Sequence, residues 1–319
     1  MRIARIAAIG LALFAGAAHA QNIPKQISLI VPYPPGSTSD LIPRLIAPSL
    51  SQALGVTVIV ENVPGANGSV GAQRVARAAA DGSHILMAPT GVLATNQFLY
   101  SKLSYDPEKS FDPLINIAST PNMIVVNRNV PANTLAELMA LARSKPGTIS
   151  FASAGVGSTS HLCGEMLKTA AKTEILHVPF RGPAPAKQAV LAGDVSLICD
   201  NFSNVIQDVQ GGTLKAIALS EKVRHAQAPN VATTTEQGEP TIEAGIWYSL
   251  VVPKGTPANI VNRYNAEIAK VVQSPDIRAK LENLGLTVVA DRPDEFGRFL
   301  QSEIQRWKKA IEAAALKIE

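Results

Sequence analysis

The feature that most constrains this chain is a repeated order: a short apolar run, a loop rich in Gly, Ser, Pro and Asn, then a helical pattern. Residues 27–31 (ISLIV) run into Pro32-Tyr33-Pro34-Pro35-Gly36-Ser37-Thr38-Ser39-Asp40, followed by Leu41, Ile42, Leu45, Ile46, Leu50 and Leu54 at helical spacing. Residues 56–60 (VTVIV) run into Glu61-Asn62-Val63-Pro64-Gly65-Ala66-Asn67-Gly68, and an Ala-rich helix follows. Residues 84–88 form a third run, ending in Pro89-Thr90-Gly91. Nearly continuous apolar strands separated by helices indicate a parallel α/β sheet covered on both faces.

The order resumes downstream. A strand is expected over 123–127, a helix over 134–144, and a strand over 148–152 that ends in Ser153-Ala154-Gly155-Val156-Gly157-Ser158-Thr159-Ser160. A helix over 161–172 and strands over 175–178, 195–199 and 214–219 complete a second α/β unit. The C-terminal region reads as helical. Thr256 is expected to cap a helix with Pro257 at its first position and Ile260, Val261, Tyr264, Ile268 and Val271 on its apolar face. The stripe Phe296, Leu300, Ile304, Trp307 and Ile311 marks a last helix packed on the core. A length of 319 residues fits about two domains.

The N-terminus reads as an export signal. Arg2 and Arg5 precede an apolar run over 6–18, and Ala18-His19-Ala20 is a small-x-small cleavage site, so the mature chain is expected to begin at Gln21. The run is too short for a membrane span. The formal charge of +4 falls to about +2 without the two leader arginines. Basic residues are scattered, with no Lys/Arg run, which argues against a nucleic-acid partner. Cys163 and Cys199 are the only cysteines; in an oxidising compartment they form either a disulfide or two small buried residues.

Chemistry in such sheets gathers at the C-terminal ends of the strands. Loops 34–40, 65–71 and 153–160 offer backbone N–H groups, hydroxyls and helix N-termini, a donor set suited to an anion. A nucleotide fits poorly. Gly65, Gly68 and Gly71 give G-x-x-G-x-x-G, no phosphate-binding G-x-x-x-x-G-K-[ST] occurs, and the strand after Gly155 ends in Pro179-Phe180-Arg181 rather than an acidic ribose partner. A carboxylate is the better guest. Signatures of catalysis are thin: no G-x-S-x-G, H-E-x-x-H or C-x-x-C is present, and no metal site or cofactor is expected. His161 and Cys163 are two apart and face different ways on a helix. Asp200 ends a strand, where it either accepts loop N–H bonds or reads a ligand. Tyr33, Phe180, Phe202 and Trp247 either line a slot for an aromatic acid or belong to the core.

Taken together, these motifs resemble the solute receptors of tripartite tricarboxylate transporters, the Bug or TctC family. The matching stretches are Val31-Pro32-Tyr33-Pro34-Pro35-Gly36 with Asp40, Glu61-Asn62-Val63-Pro64-Gly65-Ala66 with Gly68 and Gly71, and Asp81-Gly82. Further matches are Ala152-Ser153-Ala154-Gly155 with Gly157-Ser158, His161-Leu162 with Gly164-Glu165, His177-Val178-Pro179-Phe180-Arg181-Gly182, Trp247, and Gly255-Thr256-Pro257. The resemblance implies a two-domain, type II-like periplasmic clamshell, each domain a mostly parallel sheet flanked by helices, with a double hinge crossover. Domain 1 is expected over 21–122 plus 249–319, domain 2 over 123–248, and hinges near 119–127 and 245–252.

Carried over by motif, first-domain ligand contacts would be Tyr33, Gly36, Ser37, Thr38, Asp40, Ala66, Asn67 and Thr90. Second-domain contacts would be Ser153, Gly155, Ser158, His161, Phe180, Arg181 and Asp200. Arg181 either pairs a second carboxylate or pins its own loop, with the pin favoured. The implied protein is a periplasmic monomer that captures an aliphatic or aromatic di- or tricarboxylate, without catalysis, and delivers it to membrane subunits. A sensor that presents its ligand to a signalling partner and an exported α/β hydrolase are the alternatives. Ser37 stands where the family usually has a second glycine, Cys199 where an aromatic precedes the aspartate, and Pro183 where small polar residues are usual.

Overall fold

The computed structural model describes residues 23–314 and 316–317, so the leader over 1–20 lies outside the described residues. The elements are, in chain order, β1 (Gln26–Val31), α1 (Thr38–Leu54), β2 (Thr57–Asn62), α2 (Ser69–Ala76), β3 (His84–Pro89), α3 (Asn96–Leu99) and β4 (Phe111–Asn127). They continue as α4 (Leu135–Ser144), β5 (Ser150–Ser153), α5 (Thr159–Ala171), β6 (Leu176–Pro179), α6 (Pro183–Ala192), β7 (Leu197–Asn201), α7 (Phe202–Gln210) and β8 (Leu214–Leu219). The C-terminal part holds β9 (Gly245–Pro253), α8 (Ala258–Gln273), α9 (Pro275–Asn283), β10 (Thr287–Val288) and α10 (Pro293–Ala313).

The strands form one curled mixed sheet in the order β2-β1-β3-β9-β4-β7-β5-β6, with β8 and β10 added to β4. Each half keeps a parallel three-stranded unit: β1 between β2 and β3, and β5 between β6 and β7. β4 and β9 join the two units antiparallel. β4 serves both halves in turn. Its residues up to Pro121 pair with β9, and from Asn122 onward it pairs with β7 and β8. Sequence reasoning found only residues 123–127 of this strand. Pro113, Asn116, Pro121 and Asn122 interrupt its apolar pattern, and the ladder shifts register at 113/115, beside Pro113, and at 116/118, beside Asn116.

Cores lie on both faces of the sheet. α1 and α8 cover one face of the first half with Ile42, Ile46, Leu50, Ile260, Tyr264 and Ile268, all buried. α10 covers the opposite face with the expected stripe from Phe296 to Ile311. Trp247 and Phe202 are core residues rather than slot walls, at 3% and 0% exposure. The Trp247 indole donates to Glu303 at 2.9 Å. The cap of α8 departs from expectation by one residue: Pro257 is the N-cap, and the Thr256 hydroxyl donates instead to the Pro253 carbonyl at 2.7 Å.

In the second half, Cys163 of α5 and Cys199 of β7 are joined by a disulfide with Cα atoms 6.0 Å apart. The bond fastens α5 to the strand that ends in Asp200. Closing a loop across 36 residues stabilises by about 3–4 kcal/mol through lost chain entropy. The double variant Cys163→Ala/Cys199→Ala should lose about that much in denaturant unfolding; an unchanged midpoint would show that the protein does not carry the bond.

Candidate functional site

The loops after β1 and β2 are laced together by hydrogen bonds. Asp40, 1% exposed, accepts from the Gly36 N–H at 2.9 Å, from Arg44 at 2.9 and 3.0 Å, and from the Asn62 amide at 2.8 Å. Burial alone would raise its pKa, but these donors together hold the carboxyl below its usual range. Asn62 also donates to the Tyr33 carbonyl at 3.0 Å and accepts from Arg44 at 2.7 Å. Asp40 therefore shapes the 34–40 loop, and its oxygens are committed to protein donors. Nothing local in the sequence marks Arg44 and Asn62, because each serves a loop other than its own.

The Tyr33 hydroxyl reaches across to Asn67, at 3.3 Å from Oδ1 and 3.4 Å from the carbonyl oxygen. Burial, reinforced by the neighbouring tyrosines, pushes this phenol far above its ordinary range. Residues 65–68 all have positive φ, including Ala66 at 44° and Asn67 at 48°. Two successive non-glycine residues in this region are strained, of order 1–2 kcal/mol each. Asn96, fully buried, holds Asn67 there: its amide donates to the Asn67 carbonyl at 3.0 Å and its Oδ1 accepts from the Asn67 amide at 2.9 Å. Gly68 is needed for a second reason, since a Cβ there would lie 2.8 Å from Val92.

The result is a pair of helix N-termini at the C-terminal ends of adjacent parallel strands. Neither is capped by a side chain. Ser37, the N-cap of α1, donates its hydroxyl to the Pro34 carbonyl at 2.9 Å, and the N-cap of α2 is Gly68. Thr90, wholly buried at the end of β3, accepts the Trp247 N–H at 3.0 Å. Thr38 meets the buried Tyr248 of β9. The Tyr248 phenol is raised by burial first, against a hydrogen bond with Thr38, and further by the Asp200 charge. Sequence reasoning missed Tyr248 because it lies within an apolar strand.

The second-half loop is closed on itself. Ser158 caps α5 by accepting the His161 N–H at 3.3 Å, and its hydroxyl contacts the Gly155 carbonyl at 2.6 Å and Ser160 at 2.9 Å. Ser153 Oγ lies 2.7 Å from His177 Nε2 and accepts the Gly155 N–H at 3.2 Å. The His161 ring is 3% exposed, accepts the Gly157 N–H at Nδ1 (3.1 Å), faces Glu165 through Nε2 and stacks on His177 with centroids 3.9 Å apart. His161 holds the loop from beneath. Phe180 joins through its backbone, its N–H donating to the Ser153 carbonyl at 3.0 Å. Arg181 is exposed and has no hydrogen bond or ion pair among the described residues, so the expected pin is absent.

Asp200 is 3% exposed within β7, accepting the Asn201 N–H at 2.8 Å and the Asn204 amide. Burial outweighs these donors and raises its pKa to about 6. Between about pH 4 and 6 the folded protein holds a proton there that the unfolded chain has released. This group's contribution to stability is therefore greatest in acid and is lost as pH rises through 6. Relative to the wild type, Asp200→Asn should gain about 2 kcal/mol between pH 4 and pH 7.5 in denaturant unfolding. A difference that stays flat across this range would contradict the assignment.

This geometry accords with comparisons to known proteins. Residues 42–316 match the family model described as the tripartite tricarboxylate transporter family receptor. A UPF0065 protein encoded between tcbD and tcbE in Pseudomonas sp. (strain P51) is 35% identical over 311 residues, covering 96% of this chain and 92% of its own. The R. palustris protein Rpa4515, solved with adipate, superposes with a TM-score of 0.82 at 32% identity, over 92% of this chain and 98% of that one. MatC from Rhodopseudomonas palustris, solved with bound malate, gives a TM-score of 0.79 at 32% identity, over 90% of this chain and 99% of that one. The chain belongs to the tripartite tricarboxylate transporter receptor family.

Proposed function

We propose that the protein captures a small organic carboxylate between its two halves and delivers it to the membrane subunits of a tripartite tricarboxylate-type transporter. The observation that carries this reading is the pair of uncapped N-termini, α1 and α2, held side by side by the Tyr33–Asn67 bridge. Unsatisfied N–H groups and the positive ends of two helix dipoles favour a carboxylate. Thr38, Ala66 and Asn67 supply N–H donors there, Gly36 and Ser37 shape the first turn, and Tyr33 and Asp40 keep the loops in place. Ser153, Gly155, Ser158, Phe180, Arg181 and Asp200 meet the rest of the ligand from the second half, with Arg181 free to pair a second carboxylate.

The division into residues 21–122 plus 249–319 and residues 123–248 draws support from the change of partner at Pro121/Asn122. β9 pairs back onto the first half from Gly245 onward. A ligand bridging the halves favours the closed arrangement by its differential affinity. Export to the periplasm with cleavage after Ala20 rests on the leader pattern. Among the described residues, no helix is long and apolar enough to cross a membrane.

A hydrolase reading would use Ser153 and His177, whose Oγ and Nε2 lie 2.7 Å apart. Ser153 is fully buried, and burial, aided by His161, lowers the His177 pKa to about 4. Such a ring is a weak base near neutral pH. The receptor reading therefore expects binding without turnover.

Thermal denaturation of residues 21–319 with di- and tricarboxylates, aromatic acids, sugars and phosphates tests it. A ligand at about 100 times its Kd adds about 2.7 kcal/mol. The melting temperature should rise by several degrees with a carboxylate and not with sugars. A rise with sugars or phosphates alone would contradict the proposal.

A further inference from the structure

Asn122 sits where β4 exchanges β9 for β7. Its main chain is fully engaged: the N–H donates to the Ala244 carbonyl, and the carbonyl accepts from the Ser220 N–H and hydroxyl, all at 2.9 Å. Its side chain is not. Asn122 is 0% exposed, and neither amide atom has a partner among the described residues. Directly across the ladder, Asn201 buries a second unpartnered Oδ1.

Residues opposite each other in an antiparallel pair point to the same face. Cys199, two residues before Asn201 on β7, is bonded to Cys163 of α5, so that face is the one α5 covers. β7 runs parallel to β5, whose end opens the 153–160 loop. The amides therefore lie at the ligand-binding edge of the second half, at the residue where the chain passes between halves.

We infer that Asn122 and Asn201 form a subsite for a hydrogen-bond-donating substituent, a hydroxyl or an amine, on the bound carboxylate. The inference rests on the carboxylate reading above and narrows it to hydroxy- or amino-acids with a second carboxylate. Three atoms require partners: one NH2 donor and two carbonyl acceptors. Reversing the Asn122 amide leaves the same set. A carboxylate only accepts, so it would satisfy the NH2 and confront both carbonyls. A methylene satisfies none. A hydroxyl both donates and accepts, and an ammonium donates to both carbonyls.

The test is calorimetric titration of wild type, Asn122→Leu and Asn201→Ala with matched acids. These are succinate, malate and aspartate; glutarate, 2-hydroxyglutarate and glutamate; adipate and 2-aminoadipate. The wild type should bind the substituted member of a set about tenfold tighter than the plain one, the scale of one hydrogen bond. Both variants should bring that ratio close to one while keeping the affinity for the plain acid. Equal ratios in all three proteins, with binding intact, would overturn the inference and assign the amides to buried water. Absence of binding by every acid to the wild type would instead remove the carboxylate reading, and this inference with it. Circular dichroism melting checks that the variants fold. Asn201, at a strand end and less buried, decides the matter if Asn122→Leu does not.

Discussion

The hydrogen-bond ladder along β4 is the constraint on which the rest depends. Its 17 residues contribute to both halves, with the change of partner between Pro121 and Asn122. Proline has no N–H to offer a ladder, so its place at this junction fits a point where one set of pairings ends. The partner of Pro121 is Gly245, where a Cβ would lie 2.8 Å from the Thr120 carbonyl. The two crossing segments pack too closely there for any larger residue. Every loop of the candidate site hangs from a strand referred, directly or through one or two neighbours, to this pair of crossings.

The two halves prepare their edges differently. In the first, side chains brace the loops while leaving two helix N-termini uncapped: Asp40 binds Gly36, Arg44 and Asn62, and Asn96 holds Asn67 in a left-handed conformation. In the second, Ser158 caps α5, a stack of His161 and His177 supports the loop, and Asp200 is buried with a raised pKa. The positive ends of the α1 and α2 dipoles therefore point to the first edge. The second edge presents mixed donors and acceptors, chemistry suited to reading the body of a ligand rather than its charge. The disulfide ties α5 to β7, so the two elements forming this second edge move as one.

The parallel units were legible because buried parallel strands are nearly continuous apolar runs and their glycine loops announce the helices that follow. The β8 strand was found residue for residue, and the stripe on α10 was core as expected. The first part of β4 was hidden because an antiparallel strand at a crossing tolerates Pro113, Asn116 and Pro121, which break any local pattern. Loop positions followed from the sequence, but roles within them did not. Asp40 reads equally well as ligand contact or brace until Arg44 and Asn62 are seen around it. Arg181 reads as a pin until its surroundings prove open. Spacing alone left the pairing of Cys163 with Cys199 undecided, because it depends on tertiary approach.

The central claim is that a carboxylate draws the two halves together about the β4 and β9 crossings. The distance between spin labels at Leu41 of α1 and Val156 of the 153–160 loop measures this directly. Both side chains are exposed, at 39% and 51%, and both native cysteines are held in the disulfide, leaving them unlabelled. The account predicts a broad distribution that narrows and shortens when the carboxylate identified by thermal denaturation is added. A distribution that is unchanged at saturating ligand would contradict capture by closure.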